Sequence, residues 1–123
     1  MKQRWMKMTD YKLIKQQMEA LADDCTDYVP VMANTSALLF YSMGNINWAG
    51  FYLVKDDVLM LGPFQGKIAC DSESRSEIVV PVHRGGEIFA VLDIDSTLPA
   101  RFSSEDREGL VDLVTSLEKI LEK

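Results

Sequence analysis

The 123-residue chain, 47% hydrophobic and 26% charged, has the length and balance of one folded domain and is unlike a disordered segment. A chain of this length buries roughly two thirds of its unfolded surface, enough for one core. A formal charge of −6 excludes a nucleic-acid surface, which needs clustered Lys and Arg, and no apolar run approaches the roughly 20 residues that span a bilayer. The basic start MKQRWMKMTDYK is followed by no apolar signal core, so a cytoplasmic chain is expected. Cys25 and Cys70 are too few for a disulfide scaffold, and with His83 as the single histidine they match no zinc spacing.

In chain order, Tyr11, Ile14, Met18 and Leu21 recur at helical steps, with Asp10 placed to cap them, and predict an amphipathic helix over 10–21. The acidic break Asp23-Asp24-Cys25-Thr26-Asp27 ends it, and carboxylate neighbours disfavour a reactive thiolate, so Cys25 reads as an idle thiol. Pro30 suits the first turn of a second helix, which stops at Gly44. Residues 46–54 alternate as a strand: Ile46, Trp48, Gly50, Tyr52 and Val54 share one face, and Asn47, Ala49, Phe51 and Leu53 the other. Asp56-Asp57 turns the chain back through 58–61, and Gly62-Pro63 ends that strand or bends it. Residues 76–82 and 88–94 form the clearest hairpin, around Gly85-Gly86, with His83 reading as a plain surface residue. Ser103 and Asp106 make a box-like cap for a last helix whose stripe is Leu110, Val111, Val114, Leu117, Ile120 and Leu121. Helix, helix, hairpin, hairpin, helix is the order of an α+β fold, here one domain over 1–123 with an antiparallel sheet and helices mainly on one face.

Three stretches, 46–54, 61–82 and 90–96, carry side chains suited to chemistry. Asp93 and Asp95, two apart on a strand, point to one face, which they share with Phe89 and Val91. The other face, Ile88, Ala90, Leu92 and Ile94, is also apolar, which marks a central strand and covered acids; the alternative is a solvent face at the strand end. Covered acids need a cationic partner or a shared proton. Register decides whether Glu77 joins them. A two-residue loop at Gly85-Gly86 puts Glu77 opposite Ile94, and a three-residue loop puts it opposite Asp95. Trp48 and Tyr52 are either core aromatics or a seat for an ammonium or a sulfur-bearing methyl group. Cys70 stands between Lys67 and Arg75, which lower a thiol's pKa, and beside Asp71-Ser72-Glu73, which raise it; these neighbours suit an inert thiol and a nucleophile equally.

The segments ANTSALLFYSMGNINWAGFYLVKDDVLMLGPFQGKIAC and CDSESRSEIVVPVHRGGEIFAVLDIDSTLPARFSSEDREGL resemble the free methionine-(R)-sulfoxide reductases, enzymes built on a GAF domain. NWAGFYL, LGPFQGK and VLDIDS carry the resemblance. It implies a GAF-like central antiparallel sheet with N- and C-terminal helices on one face and a ligand pocket on the other. The implied activity is reduction of the free R epimer to methionine through a cysteine sulfenic acid. The resemblance also implies no bound cofactor or metal, thioredoxin or a small thiol as the external reductant, and a homodimer. Carried over by motif, Trp48 and Tyr52 would line the pocket around methyl and sulfur. Glu77, Asp93 and Asp95 would form its acidic part, which requires Glu77 near Asp95 through a three-residue loop or a bulge that restores that register, and Cys70 would be the sulfenic-acid former. In one respect the chain departs from the family. Members carry a long segment with a GRGVCG motif between GPFQGKIAC and CDSESRSEIV; here the flanks are fused and Cys70 stands where the family has three cysteines. The departure implies an open pocket face and an impaired enzyme or, as the alternative, a catalytically degenerate GAF module for small-molecule binding or dimerisation.

Overall fold

Local caps start the helices. Asp10 accepts a hydrogen bond from the Leu13 backbone N–H at 3.0 Å and opens α1 (Tyr11–Leu21). Ser103 and Asp106 exchange the two bonds of a capping box and open α3 (Ser104–Leu121). α2 (Tyr28–Ser42) begins without a side-chain cap and carries Pro30 in its first turn, where no N–H partner is lost. The computed structural model describes residues 8–25, 27–67 and 74–122. Cys70 and its acidic neighbours therefore lie outside the described residues.

The strands are β1 (Trp48–Lys55), β2 (Val58–Gly66), β3 (Ser76–Arg84) and β4 (Glu87–Ser96). They form one antiparallel sheet in the order β2-β1-β4-β3, so β4 is central, as its two apolar faces imply. Ala49, Phe51, Val80, Val82, Ala90, Leu92 and Ile94 point to the helix side and are all buried there, against Ile14, Met18, Met32, Leu39, Leu110, Leu113 and Leu117. All three helices cover this face: α2 packs on β1 and β2, α3 on β3, and α1 bridges α2 and α3. The opposite face has no helix over it among the described residues.

Several sequence expectations need correction. Leu21 and Val111 are exposed, and Ala22 and Leu113 take their places in the core, because the buried stripes sit slightly rotated from the expected faces. β2 does not end at Gly62-Pro63 but bends there and runs to Gly66, with a register shift opposite Gly50 and Tyr52. An edge strand tolerates Pro because its outward N–H has no ladder partner. The bend also brings β2 so close to β1 that a Cβ on Gly50 would stand 2.3 Å from the Phe64 Cβ. His83 is half-exposed yet not plain: its backbone N–H donates to Glu118 Oε2 at 2.7 Å, and Nδ1 lies 3.0 Å from the same oxygen.

The β3–β4 hairpin combines the two registers weighed above. Its loop is the two residues Gly85 and Gly86, at φ of 62° and 82°, values that favour glycine. A β-bulge between Val82 and His83 then shifts the register by one, and Glu77 lies opposite Asp95. The extra residue on β4 is Phe89. It packs edge-on against Tyr28 of α2 at 5.4 Å between ring centroids, and so does not share the face of the acids as expected.

Candidate functional site

Strand alternation and register assemble the open face row by row. Glu77, Asp95 and Trp48 lie abreast on β3, β4 and β1; Val79, Asp93 and Gly50 form the next row. Glycine at position 50 puts no side chain beside Asp93. The carboxyl groups of Glu77, Asp93 and Asp95 each offer an oxygen within 4.8 Å of the others. Oxygens grouped in this way can hold an ammonium or a hard cation.

Asp93 is 6% exposed, Asp95 is half-buried and Glu77 is exposed. Burial pushes the Asp93 carboxyl up to about 9, helped by its hydrogen bond with Glu77 and by the charges of Asp95 and Glu77. Burial likewise raises Asp95 to about 6, with Glu77 adding to the rise while the hydrogen bond from Asp93 opposes it. The cause is physical: carboxylates this close repel, and Asp93 Oδ1 is buried without a donor, so crowding and burial both favour the protonated form of Asp93.

Beside the acids lies an aromatic stack. Trp48 sits between Tyr52, 5.5 Å away at an interplanar angle of 24°, and Phe64, 5.1 Å away at 18°. Trp48 is 3% exposed and its Nε1 is buried without a partner. A cavity of about 420 Å³ opens between these groups, lined by Tyr52, Glu77, Asp93, Asp95 and the run Ser74-Arg75-Ser76. Tyr52 lines this cavity, and Trp48, stacked on it, does not. Sequence reasoning missed Phe64, because Pro63 was read as a possible strand end, and weighed Arg75 only for its pull on Cys70.

Asn47 ties this end of the sheet together. Its backbone N–H donates to the Asp95 carbonyl at 2.9 Å, and its Nδ2 donates to Ser74 Oγ at 3.3 Å. The Lys67 N–H donates to the Asn47 carbonyl at 3.4 Å. The described residues on either side of Cys70, Lys67 and Ser74, are therefore both bonded to Asn47. Cys25, a free thiol, lies in the connection from α1 to α2, on the helix side of the sheet.

A second cavity, of about 470 Å³, lies at the α1–α3 junction, lined by Tyr11, Leu98, Arg101 and Asp106 among others. Its polar groups already satisfy one another: the Tyr11 hydroxyl donates to Asp106 Oδ1 at 2.6 Å, and Arg101 Nη1 to Oδ2 at 3.1 Å. Burial pushes the Asp106 pKa up, but bonds from Ser103 and Tyr11 and the Arg101 charge outweigh it and hold the carboxyl below its ordinary value. This is a structural network.

Comparison with known proteins agrees with the geometry. The GAF domain family matches residues 30–121. The free methionine-R-sulfoxide reductase of Escherichia coli is 41% identical over 145 aligned positions, covering 90% of this chain and 88% of the relative. Among solved structures, fRMsr of Staphylococcus aureus in complex with substrate superposes at a TM-score of 0.87 with 35% identity, covering 94% of this chain and 98% of that one. The free methionine-R-sulfoxide reductase of Neisseria meningitidis in complex with its substrate gives 0.84 at 34% identity, covering 94% and 93%. Sequence, strand order and the one-sided packing of the helices agree: the chain belongs to the free methionine-R-sulfoxide reductase family, built on a GAF domain.

Proposed function

We propose that the open face binds free methionine (R)-sulfoxide and reduces it to methionine through Cys70. The observation that carries this reading is the cluster of three acids, Glu77, Asp93 and Asp95, set beside an aromatic stack at one cavity. The relatives add to it: the Staphylococcus and Neisseria enzymes are solved with substrate bound.

In this mechanism the Cys70 thiolate attacks the sulfoxide sulfur while the protonated Asp93 carboxyl delivers its proton to the sulfoxide oxygen. The substrate sulfur–oxygen bond and the sulfur–sulfur bond made in the attack both break as the protonated oxygen passes, as hydroxyl, to the Cys70 sulfur. Methionine leaves, and the cysteine is oxidised to sulfenic acid. The Glu77 carboxylate holds the substrate ammonium, a group absent from an internal residue of a peptide, which favours the free amino acid. Tyr52, with Trp48 behind it, seats the methyl group against sulfur-tolerant aromatic surface.

The electrons come from thiols, so the cycle needs no bound cofactor. A resolving cysteine must come within roughly 7 Å, Cα to Cα. Cys25 lies on the helix side, so an external thiol resolves the sulfenic acid, thioredoxin in the family cycle or a small thiol here. A reducing, cytoplasmic setting follows from that chemistry. The 145-position alignment exceeds the 123 residues of the chain, which supports the lack of an internal family segment and hence reduced turnover. Val58, Leu59, Met60 and Leu61, all exposed along the edge strand, support a homodimer.

The test is methionine formed from each sulfoxide epimer, with dithiothreitol and with thioredoxin plus its reductase. R-specific turnover that is faster with dithiothreitol, vanishes in Cys70→Ser and persists in Cys25→Ser is expected. Turnover that persists in Cys70→Ser would refute the mechanism, and thioredoxin-driven turnover lost in Cys25→Ser would make Cys25 the resolving thiol.

A further inference from the structure

We propose that Arg75 recognises the α-carboxylate of the amino acid held at the acidic face, an inference that rests on the function proposed above. The Arg75 backbone N–H donates to the Ser96 carbonyl at 2.7 Å, which carries the β3–β4 ladder one residue beyond the pair Ser76–Ser96. Residues 75, 77 and 79 are all exposed, and Glu77 and Val79 stand on the open face. Arg75 lines the same cavity as Glu77, Asp93, Asp95 and Tyr52.

Arg75 is the one cation among the described residues lining the cavity, and it forms no ion pair with a described carboxylate. A cavity with three acids and no cation would suit a simple amine. One with a guanidinium two strand residues from Glu77, roughly 6.6 Å along the strand, suits a zwitterion. Its ammonium meets the acids, and its carboxylate meets the planar fork of Arg75 through two parallel N–H donors. The proposed selectivity for the free amino acid would then come from both ends of the zwitterion. A peptide with methionine sulfoxide at its C-terminus would keep one of the two contacts, and an internal residue neither.

The experiment is calorimetric titration of the full chain with L-methionine and with L-methioninamide, which keeps the ammonium and lacks the carboxylate. Wild type, Arg75→Gln and Arg75→Lys are compared. Wild type is expected to bind the acid about tenfold or more tightly than the amide, the scale of a charge-assisted pair. Arg75→Gln should remove that preference while amide binding holds or strengthens, since the cavity becomes more negative. Arg75→Lys should keep part of it, as a point charge without the fork. Equal binding of acid and amide by wild type would overturn the inference and leave the proposed function standing. A loss in Arg75→Gln that is equal for both ligands would also overturn it. If Arg75 acts only on the Cys70 thiol, both affinities stay unchanged and the inference fails. If wild type binds neither ligand, the functional reading falls and the inference with it.

Discussion

The two faces of the sheet are built from alternate residues of the same strands and do opposite things. On the helix side Ala49, Phe51, Leu92 and Ile94 are each no more than 1% exposed and bring no polar side chain into the core. One residue along, on the open side, Trp48 and Asp93 are buried with polar atoms that meet no partner, and Asn47 beside them carries a third such atom. These three are the only such side-chain atoms among the described residues, and they cluster at one end of the sheet. Each unpaired group costs about 1–3 kcal/mol. The helix face thus supplies the stability that the open face gives up, and an arrangement that is a defect in a core is a requirement in a site.

The largest effect expected from this contrast is on turnover. Asp93→Asn removes the proposed proton donor and should lower the rate of methionine formation by about 10²- to 10⁴-fold. The same change relieves a buried, crowded acid, so the thermal midpoint should hold or rise. A variant that unfolds instead would place Asp93 with the core. The next contrast is Leu92→Ala against Val79→Ala. Leu92 is 1% exposed beneath the helices, and its truncation should cost about 2–5 kcal/mol. Val79 lies opposite Asp93 at 49% exposure, and its truncation should stay within about 0.5 kcal/mol. Urea unfolding of both variants checks the pair, and similar losses would erase the distinction between the faces.

A smaller effect is the dependence of stability on pH. Asp93 and Asp95 bind protons more tightly in the folded chain than in the unfolded one. Their contribution is full below the unfolded value of about 4 and is lost as pH rises through about 6 and about 9. Asp106, held below its ordinary value, works the other way: its contribution is present above about 4 and is lost on acidification. Between pH 5 and 9 the wild-type unfolding free energy should therefore fall by more than about 1.4 kcal/mol, one pKa unit's worth. Asp93→Asn should flatten most of that slope. A wild-type chain equally stable across the range would mean that the acids are solvated.

Much of this contrast is legible in the residues because a β-strand has a period of two. The alternation in 46–54 separates Phe51 from Trp48 and Tyr52 before any coordinates are seen, and the spacing of Asp93 and Asp95 puts both acids on one side. Caps are equally local, so Asp10 and the Ser103–Asp106 box are readable too. What escapes depends on distant partners. The bulge that brings Glu77 to Asp95 leaves no signature in Val82-His83, and it also turns Phe89 toward Tyr28. The bond from His83 to Glu118 joins strand to helix across 35 residues. Phe64 joins the stack because an edge strand runs on past Pro63, a position that would stop a central one. Arg75 becomes informative once the cavity shows which side chains it stands among.

The proposed mechanism rests on a proton retained in the acid cluster at neutral pH, and that proton can be observed directly. The side-chain carboxyl carbons of Asp93 and Asp95, followed by carbon-13 NMR across the pH range, should titrate as a coupled pair with apparent midpoints near about 6 and about 9. If both carboxyls instead complete their titration below about pH 5, in the range of ordinary solvated acids, the cluster holds no proton to deliver and the proposed role of Asp93 is wrong.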